Sequence, residues 1–247
     1  MKHETDTQED MTNQPQSPAG KSWPAVQALI FDFDGLLVDT ETLHYQAWLD
    51  LYREYGVELR LERWLLDIGT HGMFDPVADL EELLGRPIDR ETTLQGRRDR
   101  HRSLVEQEPL RPGIEALLKA AEEVGLPMAV ATSSSRDWVE PWLAHHAIRR
   151  YFRCVRSRDD VERVKPAPDL FLAAAACLEI LPEACLVFED SPNGMRAAAA
   201  AGMRCIAVPN RMTAEMELPE IALRIDALHE WSLQDLLRHL QEEASAS

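Results

Sequence analysis

Short, wholly apolar runs recur along the chain, and each ends in polar residues. Ala28-Leu29-Ile30-Phe31 is apolar on both of its alternating faces, which predicts a buried parallel strand. Residues 128–132, 184–188 and 205–208 repeat the pattern. Stretches 114–124, 169–180 and 192–201 read as helices, the last two rich in Ala. Strands alternating with helices predict an α/β fold built on a doubly wound parallel sheet. In such a sheet, reactive groups gather at the carboxyl ends of the strands.

One interval breaks the alternation. From Asp34 to the strand at residue 128 is far more chain than a βα unit needs, and 41–55, 75–84 and 91–106 within it look helical. Residues 40–112 therefore read as a helical cap inserted after the first strand, over its carboxyl end; the alternative is that these helices extend the core. Residues 1–24, rich in Gln, Thr, Asp, Glu and Pro, read as a disordered tail. That leaves 25–39 and 113–247 as the α/β core.

Charge narrows the function. Against 43 Asp and Glu stand 26 Lys and Arg, a net charge of −17. Such a surface repels nucleic acid and anionic membranes, so neither is an expected partner. A phosphorylated substrate is repelled at long range too, so an anion site has to be built locally. The four cysteines match no zinc spacing, and Cys185 and Cys205 sit in apolar runs where reduced, buried thiols are expected. No run of eighteen apolar residues and no apolar signal core is present, which predicts a cytoplasmic protein, a monomer or weak oligomer.

The chemistry sits where the apolar runs stop. In Phe31-Asp32-Phe33-Asp34-Gly35, the alternation of a strand sends Asp32 and Asp34 the same way. At ~4 Å and an effective dielectric of ~20, two such carboxylates repel by about 4 kcal/mol, so a cation should offset them. A calcium-binding EF-hand loop would need a Gly-x5-Glu continuation and a preceding helix, and both are missing. Solvated turn aspartates are the plainer alternative. The strand at 128–132 ends in Thr132-Ser133-Ser134-Ser135, hydroxyls and amides that suit a phosphate or an ordinary helix cap. Lys165 lies among prolines in Val164-Lys165-Pro166-Ala167-Pro168, and is either a site residue or a surface lysine. Val187-Phe188-Glu189-Asp190-Ser191 is a second apolar strand ending in carboxylates.

In this order the motifs resemble the haloacid dehalogenase superfamily, over nearly the whole chain after the tail. The runs FDFDGLLVDTE and VFEDSPNGMRAA are most similar to its β-phosphoglucomutase-like branch, whose members carry a helical cap on a Rossmann-like core. The resemblance implies a Mg²⁺-dependent phosphatase acting on a small phosphorylated metabolite. Asp32 would be the nucleophile and Asp34 the general acid and base. Mg²⁺ would be held by Asp32, the Asp34 carbonyl and Asp190, with Glu189 in or near its shell. Thr132, Ser133 and Lys165 would take the phosphate oxygens.

In the cap, Thr40 and His44 match positions that face the acid–base aspartate, although His44 equally suits a packed structural role. Gly69-Thr70-His71-Gly72 resembles the substrate-selecting cap loop, and Arg97 a basic cap position. Where sugar-phosphate mutases place an arginine for a second phosphate, this chain has Gly72, which favours hydrolysis over mutase activity. A signalling receiver domain also pairs an aspartate with Mg²⁺, a hydroxyl and a lysine. It keeps its acidic pair and phosphoacceptor on different strands, unlike the single-strand DxD here.

Overall fold

All four residues of the first strand, β1 (Ala28–Phe31), are fully buried, because both faces of the sheet around it are covered. The computed structural model describes residues 23–65, 74–219 and 223–246. After β1 come four helices in succession, α1 (Thr40–Glu54), α2 (Leu61–Leu65), α3 (Pro76–Leu84) and α4 (Arg90–Val105). Regular alternation follows: α5 (Ile114–Glu123), β2 (Met128–Ala131), α6 (Arg136–His145), β3 (Phe152–Arg156), α7 (Asp169–Leu178) and β4 (Cys185–Glu189). The described chain ends through α8 (Pro192–Ala200), β5 (Arg204–Ala207), β6 (Leu223–Arg224) and α9 (Leu233–Ala246).

The described strands form one sheet in the order β3-β2-β1-β4-β5-β6, every neighbouring pair parallel. Strand alternation divides β1 between two cores. Leu29 and Phe31 join α5, α6 and α9 through Ile114, Leu117, Val139, Leu143 and Leu236. Ala28 and Ile30 face α7 and α8, whose Ala174, Ala175, Ala197 and Ala198 contribute small side chains. The order reverses at β1, which pairs with β2 on one side and β4 on the other; the carboxyl ends of these three strands therefore open into one crevice.

The helices between β1 and α5 have a hydrophobic cluster of their own: Trp48, Leu51, Tyr52, Leu59, Trp64, Val77 and Leu80, touched from the core by Met212. Helix α3 starts and stops on local signals. Asp75 caps it by accepting from the Val77 and Ala78 amides, Pro76 opens it, and Gly85 ends it in a left-handed conformation. The entering and returning strands of chain meet at the base, where Val38 bridges Leu110 and the Arg111 amide donates to the Leu37 carbonyl at 2.9 Å.

The four strands expected from sequence are present, β2 ending one residue early and β4 and β5 each shifted by one residue at both ends. Strands β3 and β6 and helices α2 and α9 were not expected, and α6 only by its start. Phe-Arg-Cys-Val-Arg of β3 carries arginines because it is a sheet edge, with Arg153 exposed. Pro141 inside α6 masks that helix in the sequence. Two findings bear on the ends and the cysteines. Pro24, assigned to the tail, accepts a 2.7 Å hydrogen bond from Arg204, and the Trp23 ring lies 5.6 Å from that guanidinium. Cys154 of β3 and Cys177 of α7 form a disulfide, while Cys185 and Cys205 are free and buried as expected. Among the described residues no helix is long and apolar enough to cross a membrane.

Candidate active site

Three strand ends place the chemistry. Asp32 follows β1, Thr132 follows β2, and Glu189 closes β4 with Asp190 immediately after. All four are buried. Lys165 reaches them from the loop before α7, its side chain 5% exposed and its peptide bond to Pro166 cis. Its ammonium donates to Asp32 Oδ1 at 2.5 Å and to Glu189 Oε1 at 2.6 Å, with the Phe171 ring 4.9 Å away.

Glu189 is held on both oxygens. Oε2 accepts from the Asp190 and Ser191 amides and the Ser191 hydroxyl at 2.9–3.0 Å, while Oε1 takes Lys165. Gly194, in the first turn of α8, lies so close that any β-carbon there would overlap the Glu189 carboxylate. Asp190 is only half satisfied. Its Oδ2 accepts from Asn210 Nδ2 at 2.7 Å, but its Oδ1 is buried without a hydrogen-bond partner among the described residues. Gly35 (φ +79°) allows the turn after Asp34 to pass against this pair, since a side chain there would collide with Asp190 and Asn210.

Electrostatics follow from burial. Oxygens of Asp32, Glu189 and Asp190 lie within 4.8 Å of one another, three buried carboxylates facing one lysine. Burial pushes the Asp32 carboxyl up to about 8; Lys165 pulls against this, and Glu189 and Asp34 reinforce it. Asp190 is pushed well above the carboxylate range by burial, then by Glu189 and Asp32. Burial works against the Lys165 charge, but Asp32 and Glu189 hold its ammonium above its ordinary value. A partnerless buried carboxylate oxygen beside two further carboxylates is a donor set that fits a hard divalent cation.

Asp34 faces a different set of partners. Oδ1 accepts from Thr40 Oγ1 at 2.7 Å and Trp138 Nε1 at 2.9 Å, and Oδ2 from Ser134 Oγ at 2.5 Å and Thr132 Oγ1 at 3.4 Å. Asp32, Asp34, Thr40, His44, Arg97, Thr132, Ser133, Lys165 and Asp190 all line one cavity of about 850 Å³. Within it His44 stacks on His101 at 5.1 Å and meets Trp64 edge-on. Arg97 lies 5.8 Å from the Trp48 ring, its Nε buried without a hydrogen-bond partner among the described residues. Gly69, Thr70, His71 and Gly72 lie outside the described residues.

Sequence reasoning missed several residues of this site: Ser134, Trp138 and His101 around Asp34, Asn210 on Asp190, and Arg98, Arg102 and Arg158 on the cavity wall. It also missed Arg111, whose guanidinium donates to the carbonyls of Gly35, Val208 and Pro209 at 2.7–2.9 Å. Arg111 thus fastens the end of the helical insertion to the loops carrying Asp34 and Asn210. Only the run of arginines in α4, in so acidic a chain, offered a signal in advance.

Carboxylates, a lysine and hydroxyls thus meet at the switch point of a parallel α/β sheet. The chain belongs to the haloacid dehalogenase-like hydrolase family, whose model matches residues 29–208. It is 42% identical over 218 residues to YhcW of Bacillus subtilis, covering 88% of this chain and 99% of that protein. It is 34% identical over 182 residues to the fructose-1-phosphate phosphatase YqaB of Escherichia coli, covering 73% and 95%. The crystal structure of CbbY from Rhodobacter sphaeroides in complex with xylulose-(1,5)bisphosphate superposes with a TM-score of 0.68 at 31% identity, covering 85% of this chain and 99% of that one.

Proposed function

We propose that the protein is a Mg²⁺-dependent phosphatase that hydrolyses a small phosphorylated metabolite through an aspartyl-phosphate on Asp32, beneath a cap formed by residues 40–112. The observation that carries this reading is the meeting of Asp32 after β1, Asp190 after β4 and Lys165 from the loop before α7, with Asp34 beside them in the same cavity. The names of relatives such as the fructose-1-phosphate phosphatase support the substrate class.

Asp32 and Asp190, with the Asp34 carbonyl and Glu189 close by, would hold Mg²⁺, which supplies positive charge to the phosphate oxygens and relieves the carboxylates. Lys165, the Thr132 hydroxyl and the Ser133 amide would take further phosphate oxygens, stabilising the charge spread over them during transfer. An Asp32 oxygen attacks phosphorus while the ester oxygen departs with the proton of the Asp34 carboxyl. Asp34, now a carboxylate, takes a proton from water as that water attacks the aspartyl-phosphate, releasing inorganic phosphate and restoring both aspartates. Glu189, saturated by protein donors, orients Lys165.

A panel of phosphorylated sugars, nucleotides and small acids, assayed for phosphate release with and without Mg²⁺, tests the reading alongside Asp32→Asn. The variant should keep its circular dichroism spectrum and lose turnover entirely. Near-normal hydrolysis by it would sink the mechanism.

A further inference from the structure

A group that delivers and retrieves a proton needs a fixed direction, and Asp34 takes its direction from donors on two separate stretches of chain, Thr40 and the segment from Thr132 to Trp138. Two of them, the Thr40 hydroxyl of α1 and the Trp138 indole of α6, converge on the same oxygen, Oδ1. His101 of α4 contacts both residues, Thr40 through its backbone carbonyl and Trp138 through its ring. Its Nε2 lies 3.0 Å from the Thr40 carbonyl oxygen. A carbonyl only accepts, so Nε2 carries the proton and donates. The imidazole lies on the Trp138 ring at 5.0 Å and 24°, and on the His44 ring at 5.1 Å and 27°. Behind Trp138, the Trp142 ring meets it edge-on at 5.6 Å. The indole is thus sandwiched between the helical insertion and the core.

Packing alone does not require this arrangement. A buried histidine filling space would be served by any partner for its N–H, whereas this one uses the backbone of a residue whose side chain holds Asp34. Its ring then covers the face of the second group that holds Asp34. We propose that His101 is a positioning residue: by fixing Thr40 and Trp138 together, it aims both donors at Asp34 Oδ1 and ties the direction of that carboxylate to the seating of α4. Trp138 is the direct link and His101 the support. The proposal rests on the acid–base role given to Asp34 above.

The test separates proton delivery from packing by leaving group. An alkyl phosphate needs its leaving oxygen protonated; p-nitrophenyl phosphate scarcely does. Trp138→Phe keeps an aromatic ring for His101 and removes only the N–H. Its kcat/KM should fall about 10-fold for an alkyl phosphate, the scale of one hydrogen bond to a charged acceptor, and less than about 3-fold for the nitrophenyl ester. His101→Ala should show the same split, more strongly because it frees both donors, and His101→Phe, which keeps the stacked ring, should recover part of the loss. Equal losses for the two esters, or losses confined to KM, would reduce the ring column to packing and overturn the proposal. Trp138→Phe, the smaller change, decides the matter if His101→Ala does not fold. A wild-type protein that hydrolyses neither ester fails the proposed function itself and takes this inference with it, a result distinct from an unsplit loss.

Discussion

The buried carboxylates make a thermodynamic prediction that needs no substrate. Asp32 has a folded-state pKa of about 8 against 3.8 in the unfolded chain. Between those values the folded protein retains a proton that the unfolded chain has released, so folding takes up a proton and stability falls as pH rises. His101 and His146, held below 6.5 by burial, act in the opposite sense, but only below that value. The clean window is therefore pH 6.5 to 8. Across it one retained proton is worth at most about 2 kcal/mol. At 2–4 °C per kcal/mol for a chain of this size, the metal-free melting temperature should drop by about 4–8 °C. Asp190, raised in the same direction, adds to the drop. If Mg²⁺ is held by these carboxylates as proposed, it competes with their protons, and the stabilisation it confers should grow through the same window. At one hundred times its dissociation constant the ion is worth about 2.7 kcal/mol, or about 5–11 °C. Differential scanning calorimetry of chelator-treated protein, with and without added MgCl₂, measures both slopes. A metal-free melting temperature that is flat or rising from pH 6.5 to 8 would refute the reasoning, as would a Mg²⁺ increment that shrinks as pH rises.

Gly194→Ala should cost about 3 kcal/mol or more in urea unfolding, because the new methyl displaces a fully buried Glu189 from donors it cannot replace; a change below 1 kcal/mol would mean the carboxylate has somewhere else to go. Removing residues 1–22 should leave the melting temperature unchanged, whereas removing 1–24 should lower it by about 4–8 °C through loss of the Pro24 and Trp23 contacts to Arg204, as thermal melts of the two truncations would show. Given glucose 1-phosphate with a trace of the bisphosphate, the protein should release inorganic phosphate faster than it forms glucose 6-phosphate; isomerisation outrunning phosphate release in a coupled assay would reverse the preference for hydrolysis.

What could be read in the chain is what a single stretch of it determines. Strands β1, β2, β4 and β5 are legible because a strand covered on both faces must be apolar throughout. Strand β3 is not, because an edge tolerates Arg153 and Arg156. Asp32, Asp34, Glu189 and Asp190 stand out because carboxylates at the ends of such strands are costly without a purpose. The supporting residues give no such local sign. Trp138 is 104 residues from Asp34, His101 is 61 from Thr40 and Asn210 is 20 from Asp190. Each belongs, in its own neighbourhood, to an ordinary helix or loop, and acquires its role only when α4 packs on α1 and the sheet order gathers the ends of β1, β2, β4 and β5. The Cys154–Cys177 bridge is of the same kind, joining an edge strand to the helix that packs on it.

The charge distribution shows why the inserted helices matter to the proposed reaction. The repulsion between a chain of net charge −17 and a phosphate monoester is largely screened beyond a Debye length of about 8 Å, so capture depends on the charges inside that range. The floor of the cavity supplies one cation, Lys165, and it is already shared by Asp32 and Glu189. The remaining positive charge on the cavity wall comes from Arg97, Arg98 and Arg102 of α4 and from Arg158 beside β3. Helix α4 therefore carries three of these four arginines, together with the histidine that contacts both residues donating to Asp34 Oδ1. With α4 seated, an anion entering the cavity meets a cationic wall and an aspartate already aimed. Without it, Asp34 would lose the support behind Thr40 and Trp138, and the floor would present three carboxylates against one lysine. Substrate capture and the readiness of the proton-transfer group are in this way properties of the same helix.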